Sequence, residues 1–278
     1  MLLLGAVLVA SGGCAARQPL DPLTADTGGP LSENERATDV LSYELTLAVL
    51  PEKEPIRGEG VTVLRALAPL ETVELQLDAR LDVPEVRVDG TVATFERRGG
   101  ILAVSLPQPA ARGDEVRVAV RYGGKPHVAV RAPWDGGFVW GRTDDGEPWV
   151  ATAVQGEGCD LWWPCKDHFA DKPDRMEMRV TVPAGLSVAL NGVLQSVEEE
   201  ADGRRTFHWV VGVPISDYNV SLNVGPFERI ETSYQSVNGT TVPIEFWVLA
   251  EHEEKARTLI DDDLRHELDW YEAVLGPY

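Results

Sequence analysis

From Leu41 onward the chain adopts a two-residue rhythm and returns to it as far as residue 249. Leu41, Tyr43, Leu45, Leu47 and Val49 alternate with Ser42, Glu44, Thr46 and Ala48. Successive side chains of a strand point to opposite faces, so this is a strand with one face buried. Strand-like runs follow at about 59–67, 72–77, 85–88, 91–96, 101–106 and 114–122, and Pro or Gly marks most of the gaps. Arg97-Arg98-Gly99-Gly100 reads as a hairpin turn. Residues 134–154 form another hairpin around Asp144-Asp145-Gly146, and its returning strand, 149–154, delivers Gln155 at its end. Runs at 176–182, 186–197, 205–211, 219–224, 226–232 and 242–249 complete the series. Many short strands with close turns predict an all-β fold, a saddle-like β-sandwich of layered antiparallel sheets. No repeat of fixed period occurs, which excludes a propeller or solenoid.

After Ala250 the period becomes helical. Ala256, Leu259, Ile260, Leu264, Leu268, Tyr271, Val274 and Leu275 fall on one face at three- and four-residue spacing, and Gly276-Pro277 ends the pattern. A C-terminal α-helix is therefore expected over 251–278, its apolar stripe calling for a partner. The acidic run 198–203 reads as a solvated hairpin tip, and Asn238-Gly239-Thr240 as a turn rather than a glycosylation site.

The other end of the chain differs in kind. Residues 1–13 are an apolar run too short to span a bilayer, followed by Cys14. The stretch 1–14 reads as an export signal, with Cys14 as the lipidation site that would tether the mature chain to a membrane. No Lys or Arg precedes the apolar run, and Ser11 stands where such signals carry an aliphatic residue. Residues 15–39 are rich in Pro, Gly, Asp and Thr without periodicity and read as a flexible linker. The expected location is outside the cytoplasm, in the periplasm or cell envelope. A formal net charge of -20 argues against nucleic-acid binding, which needs a basic face.

The least generic stretch is 149–174. Gln155-Gly156-Glu157-Gly158 follows a strand and precedes Trp162-Trp163-Pro164-Cys165 and a polar loop; five of the eight tryptophans lie between Trp134 and Trp163. A Gly-punctuated strand end beside aromatic side chains suits a pocket for a small polar group, and equally a tryptophan-rich core with a turn beside it. Trp162 and Trp163 read as core packing rather than a sugar platform. Cys165 beside His168 has the types of a nucleophile and its base, but reads as a packing residue. The spacing of Cys159 and Cys165 permits a disulfide without favouring one. His266-Glu267-Leu268-Asp269-Trp270 approaches the zinc motif H-E-x-x-H, but position 270 is Trp, so a second imidazole on that helical face is missing.

Gln155, Trp162-Trp163, Pro164-Cys165, Asp167 and the later Ala189-Leu190-Asn191-Gly192 stand in an order that resembles the N-terminal domain of the zinc aminopeptidases related to aminopeptidase N and leukotriene hydrolase. The resemblance covers roughly residue 40 to the C-terminus, with the β domain at 40–250. It implies peptide substrates with a free N-terminus, recognised by Gln155, or by Glu157 if the strand end bulges. It implies zinc as the cofactor of the full-length enzyme. Neither the zinc helix nor the Gly-x-Met-Glu-Asn strand occurs here. The expectation is an N-terminal part of a longer enzyme that binds no zinc and hydrolyses nothing alone, its intramolecular partner being the missing catalytic domain. A non-catalytic β module of the cell envelope is the alternative.

Overall fold

The computed structural model describes residues 23–24 and 27–277. The expected signal and Cys14 lie outside these residues. Seventeen strands are built in order: β1 (Thr38–Val49), β2 (Ile56–Ala66), β3 (Leu70–Gln76), β4 (Asp82–Val88), β5 (Thr91–Val92), β6 (Phe95–Arg98), β7 (Ile101–Ala110), β8 (Glu115–Gly124), β9 (Gly137–Arg142), β10 (Pro148–Ala153), β11 (Arg175–Val182), β12 (Ser187–Ala189), β13 (Val193–Glu199), β14 (Arg205–Val211), β15 (Asn223–Gly225), β16 (Phe227–Gln235) and β17 (Thr241–Leu249). They form an eight-stranded sheet in the order β13-β14-β11-β1-β2-β8-β4-β5, a four-stranded sheet β12-β15-β10-β9, a three-stranded sheet β3-β7-β6 and the hairpin β16-β17. The all-β expectation is met. One pairing departs from the antiparallel rule: β1 and β11 run parallel, Leu45 opposite Met178. A parallel pair needs a crossover, and the intervening chain, which includes the three-stranded sheet, the β9-β10 pair and the Gln155 turn, supplies it.

The inward faces merge into one core. Tyr43, Leu45, Leu47 and Val49 of β1 meet Met176, Met178 and Val180 of β11, and Trp162 and Trp163 are buried among them. Tyr43 packs edge-on against Trp163 with ring centroids 4.6 Å apart. Burial of both tryptophans agrees with core packing. The alternation at the start of β1 is shifted: the register slips between Val40 and Ser42, so Val40 is buried and Leu41 only half-buried. A bulge adds one residue to one strand and so exchanges the faces on its two sides. The run 186–197 is likewise two strands, β12 and β13, in different sheets. Asn191-Gly192 separates them, with Gly192 at φ 89°.

The stretch 15–39 carries fixed contacts in its described part. A short helix, α1 (Glu33–Arg36), has a capping box in which Ser32 and Glu35 exchange side-chain to backbone bonds. Asn34 donates to Thr72 O at 2.5 Å and accepts from Glu74 N at 2.9 Å, which ties the arm to β3. Composition does not reveal such pairing, because it depends on residues forty positions away.

The C-terminal helix packs on the β16-β17 hairpin. It comprises α2 (Glu253–Thr258), a π-helical stretch (Leu259–Leu264) and α3 (Arg265–Leu275). Ala256 and Ile260 are buried against Ile230, Phe246 and Val248. Glu272 is buried too, while Leu259, Tyr271, Val274 and Leu275 of the expected stripe are exposed. The π stretch winds more residues into each turn than the 3.6 assumed by the pattern, and the inward line becomes 256, 260, 264, 268, 272.

Candidate functional site

The end of β10 turns sharply. Glu157 N and Gly158 N both donate to Val154 O, at 3.1 and 2.9 Å, and the turn leaves Gln155, Gly156 and Glu157 exposed. Gly158 closes it at φ 95°, where a Cβ would lie 2.2 Å from Asp167 Oδ2. Only glycine meets both demands, left-handed backbone and contact with a carboxylate. Gln155 and Gly156 line an open cleft of about 510 Å³ together with Thr27, Phe169, Asp217 and Tyr218. Glu157 is not among the cleft residues; its side chain lies over Gly136, whose Cβ, if present, would sit 2.3 Å from Glu157 Cβ. A larger groove of about 740 Å³ crosses the eight-stranded sheet near Arg57 and Gly123, and it shares no residue with the Gln155 cleft.

The loop behind the turn is clamped from several directions. Gln76 and Cys165 exchange backbone bonds at 2.7 and 3.0 Å, Asp78 N donates to Asp160 O at 2.8 Å, and Lys166 N donates to the Tyr43 hydroxyl at 3.0 Å. The buried Lys166 ammonium donates to Thr38 O at 2.7 Å and to Asp171 at 2.5 Å. Each proton of a buried ammonium must find such a partner. Cys159 and Cys165 form a disulfide, which their spacing in the sequence permitted without favouring. Residues 159–165 curl back on themselves, bringing the two Cα atoms to 6.3 Å, and strand-like spacing did not foresee that turn. With no thiolate left, Cys165 cannot act as a nucleophile with His168.

Two buried carboxylates form the floor. Asp167 accepts from the Thr27 hydroxyl at 2.6 Å and from Cys159 N at 3.4 Å; burial pushes its pKa up. Asp217, on the 3-10 turn Asp217–Asn219, accepts from Tyr218 N at 2.8 Å. Burial, and then the charge of Asp167, push the Asp217 pKa up to about 7. Asp167 belongs to the Pro-Cys-x-Asp element but carried no assigned role in the sequence. Thr27, Phe169 and Asp217 had no signal at all, because three separate segments bring them to Gln155.

Among the described residues, the side chains spaced closely enough for a shared metal ion are Cys159, Cys165 and Asp217, with ligand atoms within 4.8 Å of one another. Two of these are cystine sulfurs, which lack the thiolate that zinc binds. His266 and Glu267 are exposed on the helix, His266 Nδ1 meeting the carbonyl of Asp262. This cluster, the one found among the described residues, therefore does not fit a zinc site.

The site thus sets an exposed amide side chain at the rim of a cleft in a multi-sheet β domain. In fold and in sequence the chain is similar to the M1 zinc metallopeptidases, and its architecture is consistent with their N-terminal β domain. The M1 zinc metallopeptidase from Deinococcus radiodurans matches at TM-score 0.69 and 27% identity, over 87% of this chain and 54% of that one. A mutant M1 zinc metallopeptidase from that organism, bound to a Tyr-Ser-Ala substrate, matches at TM-score 0.67 over 87% and 55%. Probable aminopeptidase 1 of Saccharolobus solfataricus is 28% identical over 161 residues, 58% of this chain and 19% of that protein. Transcription initiation factor TFIID subunit 2 of Drosophila melanogaster is 39% identical over 69 residues, 24% of this chain and 6% of that protein. No protein-family model matches. The chain spans about half the length of these structural relatives.

Proposed function

We propose that these residues are the substrate-amine-recognising domain of an exported zinc aminopeptidase that removes N-terminal residues from peptides. The observation that carries the reading is Gln155: exposed at the rim of a cleft, in a fold similar to M1 metallopeptidases. A peptide α-ammonium has three N–H donors and a pKa of about 7.7–8.0. A side-chain amide oxygen accepts one of them, and being a dipole rather than a charge it discriminates by geometry. The turn held by Gly158 and Asp167 keeps that oxygen from relaxing into the protein. Glu157, directed over Gly136, is the less suited of the two candidates.

The zinc and its general base belong, in this reading, to sequence outside these 278 residues; bound there, zinc would activate the attacking water. A zinc titration of this chain is expected to show no stoichiometric tight site, and one equivalent bound at micromolar affinity would refute that. In the intact enzyme, Gln155→Ala is expected to raise KM for free-amine substrates and lower kcat/KM. Unchanged kinetics would remove Gln155 from the site.

Export and a lipid tether at Cys14 are supported by the apolar run 1–13, and a disulfide is at home in an oxidising compartment. Radiolabelled fatty acid incorporated into the chain, and lost in Cys14→Ser, tests the tether. A second reading, a non-catalytic module, draws support from the similarity to TFIID subunit 2, a protein not named as a peptidase. Reading the gene past codon 278 separates the two: a frame continuing into H-E-x-x-H supports the enzyme, and a stop codon supports the module.

A further inference from the structure

The disulfide lies directly beneath the turn that presents Gln155, and its surroundings are unusual. Both cysteines are fully buried. Two carboxylates converge on one of the sulfurs: Asp217 Oδ2 lies 3.3 Å and Asp167 Oδ1 3.6 Å from Cys159 Sγ. A cystine sulfur has no hydrogen to give to either oxygen. Asp167 has the Thr27 hydroxyl as a donor. Asp217 is met by the backbone N–H groups of Tyr218 and His168, and the charged or titratable groups facing it are Asp167, Asp171 and the Tyr43 hydroxyl, with Lys172 on the same cleft wall.

We infer that the Cys159–Cys165 bridge is a redox lock on the Gln155 cleft, whose opened form is held by a Cys159 S–H donating to the Asp217 carboxylate. The exchange balances with an external dithiol as reductant. One thiolate of the dithiol attacks Cys165 Sγ, the S–S bond breaks, and its electron pair leaves on Cys159 Sγ, which takes a proton. The second sulfur of the reagent then displaces Cys165, which takes a proton from water, and the reagent departs as a cyclic disulfide. Two electrons and two protons have passed from dithiol to bridge.

The consequence is a pH dependence of definite sign. With the bridge closed, Asp217 keeps its proton up to about pH 7. With Cys159 a thiol, the S–H bond favours the ionised carboxylate and lowers that pKa. Below pH 7 the opening of the bridge therefore expels a proton from Asp217; above pH 7 it does not. The equilibrium constant for exchange with a dithiol therefore falls from pH 8 to pH 6, by at most about tenfold. Opening also frees the backbone between 155 and 161, which meets Asp78 through Asp160 O and Asp167 through Cys159 N.

The test equilibrates the chain with reduced and oxidised dithiothreitol from pH 5.5 to 8. Alkylated Cys159 and Cys165 are counted by peptide mass spectrometry, which also separates them from Cys14. The wild-type constant is expected to fall several-fold, up to about tenfold, from pH 8 to pH 6 and that of Asp217→Asn to stay level. A level wild-type profile overturns the proposal, even if the Asn variant does not fold, and so does an Asn variant that keeps the slope. Hydrogen exchange at 155–161 is expected to quicken at least tenfold on reduction while β1, β2 and β11 stay protected; unchanged exchange there overturns the lock. The effect on amine binding rests on the reading of Gln155 above. Neither readout uses a peptide substrate, so failure of the Gln155→Ala test and failure of the redox test are separate results.

Discussion

Two glycines of the site turn, substituted in parallel, measure how firmly the carboxylate floor holds Gln155. Gly156 and Gly158 have nearly equal backbone angles, φ 89° and 95°. A methyl group at either position suffers the left-handed conformation, which costs about 1–2 kcal/mol for an L-residue and is offset by a few tenths to 1 kcal/mol through the unfolded chain. Gly156→Ala meets nothing within 4 Å, so it is expected to cost only about 1 kcal/mol. Gly158→Ala places Cβ 2.2 Å from Asp167 Oδ2, and the carboxylate has to move. Moving it breaks the 2.6 Å bond from Thr27, a hydrogen bond to a charged or partly charged acceptor that contributes about 1.5–3 kcal/mol. The expected cost of Gly158→Ala is thus about 3–4 kcal/mol, roughly three times that of its neighbour. Urea unfolding reads the difference as a midpoint lower by about 1 M for a slope near 2–3 kcal/mol/M. Added to Asp167→Ala, Gly158→Ala is expected to cost only what Gly156→Ala costs in the wild type, a recovery of most of the difference, because the clash and the bond are already absent in that background. Equal midpoints for the two single variants, or no recovery in the pair, would refute the view that Asp167 buttresses the turn.

Other expectations concern charge and packing. Asp217 holds its proton up to about pH 7 when folded and only to about 3.9 when unfolded, so the folded state binds more protons in that window. The stability this group contributes is complete below pH 4 and is lost as pH rises through 7, by up to about 4 kcal/mol; denaturation of Asp217→Asn should therefore decline less between pH 5 and 8 than that of wild type, and parallel curves would contradict this. Glu272 receives bonds from Tyr234 Oη and Val237 N, both at 2.9 Å, and from the Ser236 hydroxyl, which fastens α3 to the β16-β17 hairpin. Glu272→Ala strands buried donors at a cost of about 2–4 kcal/mol, and hydrogen exchange in 253–275 should quicken while the eight-stranded sheet is unaffected.

Alternation in the sequence set the kind of structure, and its motifs pointed to Gln155 as a candidate site. Two-residue alternation specified strands, because a strand that slips by one residue exposes its apolar face. Tryptophans beside a Gly-punctuated strand end marked the turn at Gln155, and the order of motifs around it pointed to the metallopeptidase fold. Periodicity misjudged Leu41 and the helix stripe for one shared reason: a bulge and a π stretch each change the residue count per repeat, which a fixed period cannot anticipate. The floor of the site was decided only in three dimensions. Thr27, Asp167 and Asp217 come from segments far apart in the chain, and the disulfide partners meet only because the chain curls between them. Local pattern records which face of an element is apolar; it holds no record of which distant carboxylate will be pressed against a given sulfur, since that follows from how finished elements pack.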